Sequence, residues 1–192
     1  MAIRKLSNSS IITGTKSSKF WDQETFPGYF ESIATIIVPS TSQSTITFSN
    51  IPQNYTHLQL RGVSLFDFND SSVYYRLNGD SGANYTYHYL AGNGTSVSSN
   101  TSTGQTRNII EAIVVGHSTT VPFASITDFL DYTSTTKYKV SRTISGCDRN
   151  GTGEANIFSG LWFNSSIAAI TSIELSINGR QFTAGSTYCL YG

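Results

Sequence analysis

Three histidines, two cysteines and twelve carboxylates are the residues of this 192-residue chain whose types could carry acid–base, metal or nucleophilic chemistry. Their spacing converges on no site. His57, His88 and His117 are dispersed and lack metal-ligand spacing, and His57 and His88 fall in alternating segments where packed or surface roles are ordinary. No Gly-x-Ser-x-Gly elbow and no phosphate-cradling glycine loop is present. Carboxylates could pair across strands as a glycosidase dyad, but the sequence singles out no pair. Cys147 and Cys189 belong to no metal or redox dipeptide and are expected as reduced core thiols. These observations point to a non-enzymatic protein with no metal and no cofactor.

Oxygen ligands recur in Asp148-Arg149-Asn150-Gly151-Thr152-Gly153-Glu154, which echoes the front of a calcium loop, and in Asp67, Asn69 and Asp70. Both favour turns instead, because Asp starts turns and Asn-Gly tolerates positive φ. Eight Asn-x-Ser/Thr sequons (Asn8, Asn54, Asn69, Asn84, Asn93, Asn100, Asn150, Asn164) exceed chance and reflect polar loop composition. The tyrosines Tyr74, Tyr75, Tyr85, Tyr87 and Tyr89 could stack on a host surface glycan. Alternating rings on a strand also suit a core or a subunit contact.

Charge is uneven along the chain. Residues 1–20 carry Arg4, Lys5, Lys16 and Lys19 with no acid, while the rest holds 8 basic and 12 acidic residues. Four charges are too thin for nucleic acid, where a dense cationic patch must neutralise phosphates. Apolar Ile3, Leu6, Ile11 and Ile12 and the pair Phe20-Trp21 accompany those charges. An arm that orders on a partner uses such anchors, whereas a purely solvating tail lacks them. Ser7-Asn8-Ser9-Ser10 stands where a signal peptide needs an apolar run, and no stretch reaches the roughly 18 apolar residues of a membrane-spanning helix. Synthesis in the cytoplasm and no membrane partner are expected.

The elements that must position these groups are strands. Charged residues make up 12% of the chain, and 29 Ser, 24 Thr and 24 aromatic residues fill the difference. Rings and β-branched side chains pack well on a pleated surface. Ile46/Phe48, Leu58/Leu60, Tyr85/Tyr87/Tyr89 and Ile173/Leu175/Ile177 alternate with polar residues. Asn78-Gly79, Asn93-Gly94, Asn150-Gly151 and Asn178-Gly179 are hairpin signals. About ten strands at this spacing predict an all-β fold: an antiparallel, jelly-roll-like β-sandwich over residues 30–192, with an extended N-terminal anchoring arm over 1–29. Segment 93–106, rich in Gly, Ser, Asn and Thr, is expected as a long exposed loop.

An ordered series of short motifs runs along the chain: Ser17-Ser18-Lys19-Phe20-Trp21-Asp22-Gln23, Phe30-Glu31-Ser32-Ile33-Ala34-Thr35, Tyr55-Thr56-His57-Leu58-Gln59, Arg76-Leu77-Asn78-Gly79-Asp80 with Asn84-Tyr85, Asp131-Tyr132 with Lys137-Tyr138-Lys139, Gly160-Leu161-Trp162, Ala169-Ile170-Thr171-Ser172-Ile173 and Leu190-Tyr191-Gly192. In these the chain resembles short β-rich structural proteins of tailed bacteriophages, especially cyanophages. Gly62 to Val73, with its Asp-Phe-Asn-Asp stretch, departs from that pattern. The resemblance implies a virion protein on the particle surface, made in the host bacterial cytoplasm, whose partners are the major capsid protein or tail proteins. The layout of arm plus single domain favours a capsid decoration or cement role. A short tail-fibre or receptor-binding subunit is the alternative, with loops 62–73 and 91–106 on a host glycan, and a small carbohydrate-active enzyme is a third. Analogy with decoration and fibre proteins suggests a homo-oligomer, as a homotrimer.

Overall fold

The computed structural model describes residues 30–41, 43–65, 72–112 and 120–192. Twelve strands follow in chain order: β1 (Ser32–Ile37), β2 (Thr45–Phe48), β3 (Leu58–Ser64), β4 (Ser72–Leu77), β5 (Tyr85–Gly92), β6 (Val97–Gln105), β7 (Asn108–Ala112), β8 (Phe123–Leu130), β9 (Lys139–Asp148), β10 (Gly153–Trp162), β11 (Ile173–Ile177) and β12 (Thr187–Tyr191). No helix occurs among the described residues. The strands build an eight-stranded sheet in the order β1-β12-β3-β8-β9-β10-β5-β6 and a four-stranded sheet in the order β2-β11-β4-β7. Every pairing among the described residues is antiparallel, and they adopt the expected all-β, sandwich-like fold.

Alternation explains the core strands. In β2 the threonines face out while Ile46 and Phe48 are buried, and β3 buries Leu58 and Leu60 between exposed or half-buried neighbours. Residues from the smaller sheet (Ile46, Phe48, Tyr75, Leu77, Leu175) and the larger one (Leu58, Leu60, Phe123, Phe129, Tyr188, Leu190) join in one core cluster. Each such side chain contributes about 1.5–3 kcal/mol of burial. β7, at the edge of the small sheet, packs over β8, β9, β10 and β5.

The Asn-Gly turns divide into two kinds. Asn93-Gly94 and Asn150-Gly151 close the β5–β6 and β9–β10 hairpins. Asn78-Gly79 and Asn178-Gly179 were expected as hairpins too, but each follows a strand of the small sheet and leads into a strand of the large one. At Asn78 (φ 53°) and Gly79 (φ 67°) the left-handed backbone turns the chain out of the sheet. The Asn78 amide then ties the corner down, donating to the Ala169 carbonyl at 2.7 Å and accepting the Thr171 and Ser172 N–H groups at 2.8 and 3.1 Å.

A second correction concerns segment 93–106, which is mostly the nine-residue strand β6 rather than a loop. As the sheet edge it is open to solvent along nearly its whole length, so nothing imposes apolar alternation on it. Of the expected loop 62–73, residues 62–64 belong to β3 and 72–73 to β4, and 66–71 lie outside the described residues. Both cysteines are free.

Polarity is inverted in the middle of the large sheet. On the core-facing side β8 and β9 bury Ser125, Thr127, Ser141, Thr143 and Ser145, and β10 buries Asn156. Their outward neighbours include Ile126, Ile144 and Ile157, all exposed. Hydroxyls at that depth bond to one another, as Thr127 Oγ1 does to Thr143 Oγ1 at 2.8 Å.

Candidate interaction surface

Several of the described groups that could have done chemistry make contacts within the fold. His57 Nδ1 accepts the Asp131 N–H at 3.0 Å, and His88 Nε2 lies 3.4 Å from Thr101 Oγ1 on an exposed strand pair. Asp148 Oδ1 accepts the Asn150 N–H at 2.8 Å, with Asn150 and Gly151 both at positive φ, so the calcium-like segment is a hairpin turn. No group of three or more His, Cys, Asp or Glu side chains gathers to hold a metal among the described residues. The ammonium of Lys139, a buried residue, donates to the carbonyls of Ser134 and Lys137 at 2.5 and 2.7 Å and closes the turn before β9. Burial lowers its pKa. His117, the trio Asp67, Asn69 and Asp70, and the arm residues Ile3, Arg4, Lys5, Leu6, Ile11, Ile12, Lys16, Lys19, Phe20 and Trp21 lie outside the described residues.

The five tyrosines separate by depth. Tyr75 and Tyr85 are core residues at 1% and 0% exposure, which removes them from any direct glycan contact. The Tyr75 hydroxyl meets Ser141 Oγ at 2.7 Å and accepts from the Asn108 amide at 3.0 Å. Desolvation outweighs those bonds and pushes its pKa up to about 12. Tyr85 accepts the Leu77 N–H at 3.0 Å, and its ring stacks on Trp162 with centroids 6.5 Å apart. Tyr74 points the other way from β4, half-buried, with the Arg107 guanidinium 3.9 Å above its ring.

Tyr87 and Tyr89 stay partly accessible. They follow Tyr85 along the same face of β5 at period two. Their rings are 6.5 Å apart, and Tyr89 leans on Phe158 of β10 at 5.7 Å. Across the edge they pair with Ser102 and Asn100 of β6. A short aromatic ledge beside hydroxyl and amide groups results, at the side of the large sheet away from β1. This arrangement can stack a sugar ring and hydrogen-bond its hydroxyls.

Comparisons with protein-family models, with curated proteins and with solved structures return no match. The ledge therefore rests on its own geometry.

One residue that orients it was not singled out from sequence. The Asp80 carboxylate, next to the Asn78-Gly79 corner, accepts from Trp162 Nε1 at 2.6 Å, from Asn84 Nδ2 at 2.9 Å, from Asn164 Nδ2 at 3.0 Å and from the Gly82 N–H at 2.8 Å. Burial alone would raise its pKa, but these donors together lower it. They fix the start of β5 against the end of β10, the two strands that carry the ledge. Asp80 sits in a segment read as a simple turn, so its long-range donors, Trp162 and Asn164, left no local trace.

Proposed function

We propose that the chain is a non-enzymatic structural protein on the surface of a tailed-bacteriophage particle, a jelly-roll domain that decorates the capsid and is anchored by residues 1–29. The strand order carries the architectural half of this reading. Setting aside β5, β6, β9 and β10, the remaining strands run β1-β12-β3-β8 in one sheet and β2-β11-β4-β7 in the other. The pairs β1 and β2, β3 and β4, β7 and β8, and β11 and β12 are each split between the sheets, while β4 and β7 neighbour one another in the small sheet, the arrangement expected of a jelly roll of two Greek keys. The four set aside are two hairpins added to one sheet. Jelly rolls serve capsid and lectin domains alike. The phage-like series of motifs directs the choice toward the particle, with the major capsid protein or a tail protein as the partner.

Quantitative mass spectrometry of purified particles tests this. A decoration protein is expected at a copy number close to that of the shell subunit, and its absence from finished particles would end the proposal. Removing residues 1–20 should leave a folded β-domain that is depleted from particles at least tenfold. Full incorporation of the truncated chain would show that the anchor lies elsewhere.

The ledge favours a second reading, a tail-fibre or receptor-binding subunit that holds a host glycan. Here a copy number of a few dozen is expected. Tyr87→Ala with Tyr89→Ala should weaken binding to host polysaccharide about tenfold, equivalent to the ~1.4 kcal/mol two stacked rings can supply. Unchanged binding in that variant would remove the ledge from recognition.

A further inference from the structure

The outward face of the eight-stranded sheet carries large apolar residues in a row. Ile126, Ile144, Ile157 and Leu90 are 45%, 67%, 54% and 48% exposed. They are direct cross-strand neighbours: Ile126 opposite Ile144, Ile144 opposite Ile157, Ile157 opposite Leu90. Two residues toward the hairpin turns, on the same face, runs a row without bulk: Ala124 opposite Gly146, Gly146 opposite Ala155, Ala155 opposite Gly92. A shallow depression lined by Gly92, Gly146, Ala155 and the turn ends marks that second row. A ridge four strands wide thus lies beside a row of small residues whose β5, β9 and β10 part forms the depression. Soluble monomers rarely expose a contiguous apolar patch on this scale without a partner.

We propose that this face binds a second copy of the chain about a two-fold axis that runs across the strands, between the two rows. Such an axis reverses the strand direction and keeps the strand order, so each strand meets its own counterpart. Each of the four ridge residues then falls on a small one of the other copy: Ile126 on Ala124, Ile144 on Gly146, Ile157 on Ala155, Leu90 on Gly92. The next positions outward along β9 meet as well. Arg142, exposed and in no ion pair within the described part of the chain, comes opposite the exposed Asp148 of the other copy, and the symmetry makes this contact twice. Two sheets facing one another about 10 Å apart within roughly 30° of alignment is the ordinary packing of sheet faces. Four or five strands spaced about 4.8 Å, over three such rows, give about 1,000 Å² buried in total. That is the lower end for a specific interface, so a concentration-dependent dimer is expected. The match is two-fold and departs from the three-fold assembly that analogy suggests.

Sedimentation velocity on the full chain from about 1 to 300 µM tests it. The wild type should pass from monomer to dimer. Ala155→Ile puts ridge on ridge, and Ile157→Ala removes the ridge; each should weaken dimerisation at least tenfold. The exchange of both, I157A with A155I, rebuilds the fit and should return the dissociation constant to within about threefold of the wild type. Both positions are exposed and receive apolar side chains, and circular dichroism confirms the fold. Should A155I fail to fold, Ala124→Leu makes the same obstruction on β8. A face that is merely adhesive would be strengthened by A155I or A124L. That result overturns the proposal, as does a chain that stays monomeric throughout the range or assembles as a trimer.

Discussion

Asp80→Ala should lower the stability of the domain by about 3–4 kcal/mol in urea denaturation at pH 7. Hydrogen bonds to a charged acceptor contribute roughly 1.5–3 kcal/mol each where donors are well aligned, and a buried donor left without a partner costs about 1–3 kcal/mol. Trp162 is 3% exposed, and its N–H loses the acceptor that lies 2.6 Å away. Asn84 and Asn164 lose the same acceptor. Those losses exceed the small gain from freeing a half-exposed side chain, which is why the prediction sits near the top of the usual range for single substitutions. Asp80→Asn should fall between, because one amide oxygen keeps part of the donor set while the amide nitrogen faces the remainder. Tyr87 and Tyr89 should become more mobile in both variants, since the start of β5 is no longer tied to β10. A loss below 1 kcal/mol in the alanine variant would mean that the corner is held by Asn78 alone.

Glu111→Gln should remove most of the pH dependence of stability between pH 4.5 and 7. Glu111 is fully buried on β7, and its Oε1 accepts from Ser64 Oγ at 3.0 Å and Ser125 Oγ at 2.6 Å. Its Oε2 has no hydrogen-bond partner among the described residues. Desolvation raises the pKa from 4.5 to about 7, against the two serine bonds that lower it. The folded chain therefore keeps this proton where the unfolded chain has lost it. Stability from this group is complete below about 4.5 and declines as pH rises through about 7, by an amount on the order of 3 kcal/mol. Glutamine cannot ionise and keeps the oxygen that the serines use. The variant should be more stable than the wild type by about 1–3 kcal/mol at pH 8.5 and show no gain at pH 4.5. Parallel stability–pH curves for the two proteins would refute it. The neighbourhood leaves little room for other repairs: a Cβ on Gly62 would lie 2.7 Å from Ser125 Oγ and 2.8 Å from the Tyr188 ring.

How much of this was legible depends on which face of a strand carries the pattern. β2, β3, β5 and β11 announce themselves because apolar residues point to the core and polar ones to water. In β9, and at Asn156 and Ile157 of β10, the same alternation is present with the opposite sense. Apolar Ile144 and Ile157 are exposed, while polar Ser141, Thr143, Ser145 and Asn156 are buried. Periodicity identifies a strand but does not say which side is inside when a second surface also selects apolar residues. β6 failed for a different reason: an edge strand open to solvent needs no apolar partner, and its Ser/Thr/Asn composition imitates a loop. Spacing placed Tyr85, Tyr87 and Tyr89 on one face of β5, but only depth separates Tyr85 from Tyr87 and Tyr89. Asp80 was out of reach, because its importance comes from residues more than eighty positions away.

The strand order also imposes a schedule on the making of the protein. β12 lies between β1 and β3, and β11 lies between β2 and β4, so each sheet is completed by a strand inserted into its interior. Roughly 150 residues separate Ile37 from Thr187. At about 5–20 residues per second, a ribosome needs on the order of ten seconds to deliver that stretch. During this interval the early strands hold bare hydrogen-bonding edges toward an unfilled gap, the condition in which neighbouring nascent chains can pair wrongly. The β9–β10 hairpin, whose long strands are joined by a tight turn, can close as soon as it emerges and wait as a template. Completion of both sheets thus falls in a single late event, and partial chains ending before residue 173 leave β1 and β2 without their sheet partners while β3-β8-β9-β10-β5-β6 and β4-β7 can still pair.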